Sequence, residues 1–125
     1  MKVIGMISGT SFDGIDVALV DLKESDGVIS IKLIDFESVQ YTKELRSKIA
    51  KAMPPQSLDM QIVGELDTQI GQAFADAASK ILSRNNTQSD LIVSHGQTLY
   101  HWIENNKALG TLQLGEPTWI AQKIG

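Results

Sequence analysis

The chain has 125 residues, 42% hydrophobic and 21% charged, enough for one domain with a real core and unlike a disordered segment. A net charge of −4 without a basic run argues against generic nucleic-acid binding, and the lack of cysteine excludes disulfides and thiolate metal sites. No apolar stretch approaches the length of a membrane span, and the amino terminus does not read as a signal peptide, so a soluble cytoplasmic protein with no membrane or nucleic-acid partner is expected.

In chain order, residues 2–8 and 14–22 read as two apolar strands joined by a turn of small residues. Ser25-Asp26-Gly27 is a turn signal, with Gly where φ > 0 is needed. From Val28 to Val39 the pattern alternates, with Ile29, Ile31 and Leu33 on one side, as in a half-buried strand. Three strands on short turns make an antiparallel meander. Thr42 is placed to cap a helix over 43–53, ended by Pro54-Pro55. Ser57 reads as the N-cap of a long helix over 58–84, whose buried stripe is Leu58, Ile62, Leu66, Ile70, Phe74, Ala77 and Ile81. Leu91-Ile92-Val93 is a short, fully apolar run, as in a buried strand. Trp119 to Ile124 is helix-like. The expected class is α/β: a three-stranded antiparallel meander, helices, and a further buried strand.

The first turn carries the most chemistry. Gly5 to Asp16 reads Gly-Met-Ile-Ser-Gly-Thr-Ser-Phe-Asp-Gly-Ile-Asp. Small residues let backbone N–H groups approach a phosphate, hydroxyls add donors, and carboxylates hold Mg²⁺ directly or through its waters. Gly9 and Gly14 have the glycine spacing of a P-loop, but Ile15 and Asp16 replace its Lys and hydroxyl, and a strand follows instead of a helix. Ser11 lacks the flanking glycines of a nucleophile elbow. The residues alone also fit an ordinary hairpin turn.

His95-Gly96-Gln97-Thr98 follows the Leu91–Val93 run directly, where ligands of open α/β sheets gather at strand carboxyl ends. Its imidazole, amide and hydroxyl suit the hydroxyls of a sugar, or else satisfy loop backbone groups. Glu65 and Asp67 lie about 200° apart around their helix and cannot form a carboxylate pair. Helix surface charge or a contact to the first hairpin is the expectation, with Asp67 and Gln69 able to reach the backbone of a neighbouring loop. His101 reads as a surface or interface residue, and Trp102 and Trp119 as core or interface residues.

The Gly5–Asp16 segment resembles the amino-terminal signature of the anhydro-N-acetylmuramic acid kinases, a family of the actin-like ATPase and sugar-kinase superfamily. Gly64–Gly71 (Gly-Glu-Leu-Asp-Thr-Gln-Ile-Gly), Ser94–Thr98 and Thr111–Gly115 (Thr-Leu-Gln-Leu-Gly) resemble its next motifs, in the family's order. The resemblance implies a ribonuclease H-like fold. It implies ATP and Mg²⁺, an amino-sugar substrate, and a reaction that opens 1,6-anhydro-N-acetylmuramic acid and phosphorylates it. It assigns Gly9, Thr10, Ser11, Phe12, Asp13, Gly14, Ile15 and Asp16 to the ATP phosphates. Asp13 or Asp16 would hold Mg²⁺, through water or directly, and His95, Gln97 and Thr98 would contact the sugar. A homodimer is left open for the full-length protein.

The family's later motifs are not in this sequence, among them the Gly-Phe-Asp-x-Gly-Pro-Gly-Asn segment with the general base. Residues 1–125 therefore read as the amino-terminal part of the first domain of a two-domain kinase, inactive when isolated and without its own catalytic base. Two other readings are a non-catalytic sugar- or nucleotide-binding module and an acyl hydrolase built on Ser8 or Ser11 with His95 and an Asp.

Overall fold

In a computed structural model, which describes residues 1–125, the alternating segments pair into one five-stranded mixed sheet. The strands are β1 (Lys2–Ser8), β2 (Gly14–Ser25), β3 (Val28–Gln40), β4 (Leu91–Glu104) and β5 (Lys107–Leu114). The helices are α1 (Lys43–Ala52), α2 (Met60–Arg84) and α3 (Thr118–Ile124). The spatial order is β3-β2-β1-β4-β5. β1, β2 and β3 form the expected antiparallel meander. β4 then joins β1 in parallel, after the long crossover that parallel pairing requires, so the sheet as a whole is not a simple meander.

Alternation explains which face is covered. Ile4 and Met6 of β1 and Ile15, Val17 and Leu19 of β2 are buried on one face. Leu66, Ile70, Phe74, Ala77 and Ile81 of α2 join the same core, with Ile49 of α1. Burial of each large side chain contributes about 1.5–3 kcal/mol. Residues between them in the ladder, such as Ile7 and Phe36, face the opposite side and are exposed. Thr42 caps α1 as expected, accepting from the Leu45 N–H at 3.2 Å.

Four expectations are corrected. α2 starts two residues later than expected, because Asp59, not Ser57, accepts from the Ile62 N–H at 2.9 Å. Ile62 consequently lies outside the stripe and is exposed. The outer half of β3 is not half-buried: Val28, Ile29, Ile31 and Leu33 are all exposed, because β2 and β3 run on past the helices. β4 is a 14-residue strand rather than three residues, and Leu91 and Val93 face the uncovered side. Its second half folds back as a hairpin onto β5 through Asn105-Asn106, both at positive φ, which is the backbone of a type I′ turn.

Candidate active site

The parallel pairing of β1 and β4 puts their carboxyl ends side by side, with Ser8 opposite Gln97. Between Met6 and Ser8 the register slips: three steps along β4 match two along β1. This is a bulge, and Gly96 accommodates it at φ +76°, where an added Cβ would lie 2.6 Å from the Leu114 carbonyl oxygen. His95–Thr98 is thus a kink inside a strand, not a loop beyond one. His95 turns to the exposed side, whereas Gln97 and Thr98 are buried. Re-aiming side chains in this way is what bulges do beside functional sites.

The 9–13 turn closes on itself. The Phe12 N–H donates to the Gly9 carbonyl at 3.1 Å, and Phe12 takes φ +40°, with its ring packed on the core and the Arg46 guanidinium 5.7 Å above it. Ser11 Oγ donates to Asp13 Oδ1 at 3.0 Å. Thr10, Ser11 and Asp13 are exposed and Gly9 has open space beside its Cα. Ile15 has its side chain in the core, which leaves only its backbone for a ligand. Asp16 points to the uncovered face and accepts a hydrogen bond from Ser38 Oγ of β3. No group of three or more metal-ligating side chains gathers in the structure.

Beneath the turn lies a buried polar network. Ser8 and Gln97 are 1% and 0% exposed. The Gln97 amide nitrogen donates to the carbonyls of Gly9 at 2.7 Å and Thr98 at 2.9 Å. The single Ser8 hydroxyl proton lies between two acceptors, the Gly14 carbonyl at 2.6 Å and Gln97 Oε1 at 2.7 Å. The amide expected at a sugar is therefore spent inside the protein, because the bulge turns Gln97 under the turn. Nor does either serine pair with His95, as an acyl hydrolase would need: Ser8 is enclosed and Ser11 is bonded to Asp13. Tyr41 is also buried here, and burial pushes its phenol well above the usual tyrosine range, with the neighbouring Ser8 hydroxyl opposing.

The remaining motifs arrive from the other side. Asp67 of α2 accepts from the Gly115 N–H at 2.7 Å through its side chain and from the Glu116 N–H at 3.3 Å through its carbonyl. This is the loop contact foreseen for Asp67. Glu65 faces solvent and accepts from Gln61 at 2.9 Å, and Gln69 accepts from Lys48 at 3.2 Å. A cleft of about 170 Å³ opens between these segments, lined by Asp67, Ser94, His95, Gly96, Gly115 and Glu116 among others. Ser94 Oγ is buried there without a hydrogen-bond partner. Ser94 lies within the Ser94–Thr98 motif, but sequence reasoning gave it no role at the site; its place at the end of an apolar run and in that motif were the signals. His101 lies away from the cleft, opposite Thr111 in the β4–β5 hairpin. The structure thus brings all four motifs to one end of the sheet.

A family model described as anhydro-N-acetylmuramic acid kinase matches residues 1–125. The anhydro-N-acetylmuramic acid kinase of Rhodococcus erythropolis is 44% identical over 126 residues, covering 100% of this chain and 32% of the relative. That of Streptomyces coelicolor is likewise 44% identical, with the same coverage. That of Bacillus cereus strain AH187 is 40% identical over 97% of this chain and 33% of the relative. The chain spans about a third of the length of these curated relatives.

Proposed function

The chain belongs to the anhydro-N-acetylmuramic acid kinase family, and from that premise we propose that its protein is an ATP-dependent kinase. It adds water across the intramolecular glycosidic bridge of 1,6-anhydro-N-acetylmuramic acid and transfers the γ-phosphoryl of ATP to the freed O6. The products are N-acetylmuramic acid 6-phosphate and ADP, which places the enzyme in recycling of cell-wall sugars. Residues 1–125 form the amino-terminal part of the first, ribonuclease H-like domain. The rest of a two-domain kinase supplies the general base and the adenine site. The observation that carries this reading is the β1–β4 pairing, which sets the glycine-bounded turn beside the His95–Thr98 bulge.

Phosphoryl transfer is mostly positioning and charge neutralisation. The backbone N–H groups of Gly9 through Asp16 and the exposed Thr10 and Ser11 hydroxyls approach the β- and γ-phosphates. His95, exposed at the cleft mouth, and Thr98 are the sugar-side groups. Asp13 and Asp16 offer exposed carboxylate oxygens, the ligand type that Mg²⁺ prefers. Bound Mg²⁺ would spread the charge of the transferring phosphoryl group.

The test is incubation of the whole protein with ATP and the anhydro sugar, read by mass spectrometry for the phosphorylated, ring-opened product. Absence of that product overturns the reading. Asp13→Asn and Asp16→Asn should each lower kcat, by about 10²-fold or more for a carboxylate that holds the metal. Wild-type rates in both variants at limiting Mg²⁺ would remove the metal role.

A further inference from the structure

Gln97 occupies a core position with a side chain that has two donors and an acceptor to satisfy. Every partner it has belongs to the bulge or to the neck of the turn. Its nitrogen donates to Gly9 and Thr98, and its oxygen lies against Ser8, whose hydroxyl reaches Gly14. Gly9 and Gly14 bound the turn on its two sides. One amide therefore ties the Gly9 leg of the hairpin to β4 directly, and reaches the Gly14 leg through the single proton that Ser8 shares between them. No other side chain does this in the same space. An ionised Glu lacks the donors, a Leu or Met would lose all three hydrogen bonds, and an Asn is one methylene shorter.

The consequence lies in the Gly9–Thr10 peptide. Its carbonyl is drawn inward by two donors, Gln97 Nε2 at 2.7 Å and the Phe12 N–H at 3.1 Å. The peptide is trans, so its carbonyl and N–H point in opposite directions. With the oxygen held inward, the Thr10 N–H is turned outward, to the exposed mouth of the turn. We infer that Gln97 is a positioning residue that sets this peptide and presents the Thr10 N–H to a phosphate oxygen, and is not a sugar contact. A donor already aimed where charge arrives needs no reorganisation when the nucleotide binds. This rests on the kinase reading for the identity of the ligand, but the orientation of the peptide does not.

Two measurements on the whole protein separate the possibilities. In Gln97→Ala the KM for ATP should rise about tenfold, as for one lost hydrogen bond in a closed site, with kcat reduced and the KM for the sugar held. Amide exchange at Phe12, whose N–H shares the Gly9 carbonyl, should quicken by about the same factor. Ser8→Ala removes only a hydroxyl and should move both readouts in the same direction, which keeps the question decidable if Gln97→Ala does not fold. A raised sugar KM with unchanged ATP KM and unchanged Phe12 exchange would overturn the inference. If the wild-type protein makes no product from the anhydro sugar, the kinase reading fails, and Phe12 exchange in the two variants still decides the role of Gln97.

Discussion

Two polar linkages tie distant parts of the chain together on the helix-covered face of the sheet, and they are built on opposite principles. At the carboxyl ends of β1 and β4, Ser8 and Gln97 are neutral and enclosed, and they bond to each other and to backbone carbonyls. On β3, Asp35 and Glu37 meet Lys80 and Arg84 of α2 and its C-cap residue Asn85 in a charged cluster open to solvent. Removing one member of a buried set strands its partners without water, at about 1–3 kcal/mol. Exposed ion pairs lose little, because water replaces the missing partner. The first linkage is suited to holding a geometry, and the second to joining a strand to a helix under changing pH and salt.

The sharpest way to break the first region is at Gly96. Gly27, in the exposed β2–β3 turn, has nearly the same φ, +75° against +76°, but nothing within 4 Å of an added Cβ. At Gly96 that Cβ would meet the Leu114 carbonyl oxygen at 2.6 Å. Gly27→Ala should cost about 1–2 kcal/mol, the left-handed strain alone. Gly96→Ala should cost about 3 kcal/mol or more, since overpacking against backbone adds to the strain. Denaturant midpoints of the two variants give the comparison directly, and equal losses would mean that the bulge relaxes freely.

The two regions were not equally legible in the sequence. The turn at 9–14, the Thr42 cap and the α2 stripe from Leu66 to Ile81 declare themselves through local rules of period and capping. The Asp26-Gly27 hairpin does so as well. The bulge does not, because a register slip between β1 and β4 depends on residues 89 positions apart, Ser8 and Gln97. Without it, His95–Thr98 reads as a loop and Gln97 as a ligand group. The β4–β5 hairpin was missed because Asn105-Asn106 lacks the glycine that usually marks a type I′ turn. The charged cluster was hidden because Asp35 and Glu37 look like the polar side of a strand, yet they share the covered face with Leu19 and Val17. All four motifs were visible as words, but the meeting of three of them at one cleft, beside the first turn, follows only from the sheet order.

A smaller effect sharpens the contrast in energetic terms. Ser8→Ala should destabilise the protein by about 1–3 kcal/mol, because the buried Gln97 Oε1 and the half-buried Gly14 carbonyl lose their shared donor. Lys80→Met, which removes one arm of the exposed cluster, should cost clearly less. The order should also survive in high salt: the Ser8→Ala loss is unchanged, while the Lys80→Met loss shrinks as the remaining charges are screened. Reversal of that order would show that the charged cluster carries the strand–helix junction.

The smallest expected effect is the response to acid. A side-chain hydrogen bond from Asn85 and then one from Arg84 hold the Asp35 carboxyl below its ordinary value of 3.8. The Lys80 ammonium holds Glu37 below 4.5, with Arg84 adding to it. Both groups therefore bind protons less readily folded than unfolded. The stability they contribute is fully present above those ordinary values and is lost as the pH falls through the lower folded ones. Asp35→Asn with Glu37→Gln should flatten the fall in melting temperature below about pH 4.5, and change it little at pH 7, where exposed pairs are worth little. Arg84, held charged above its ordinary range by Asp35, does not titrate in this window. The neutral Ser8–Gln97 pair has no proton to gain in acid, so Ser8→Ala should lower the melting curve equally between about pH 7 and pH 3, far below the range of the neighbouring Tyr41 phenol. A Ser8→Ala loss that changes over that acid window would mean that a carboxylate reaches the buried network, and would dissolve the distinction between the two linkages.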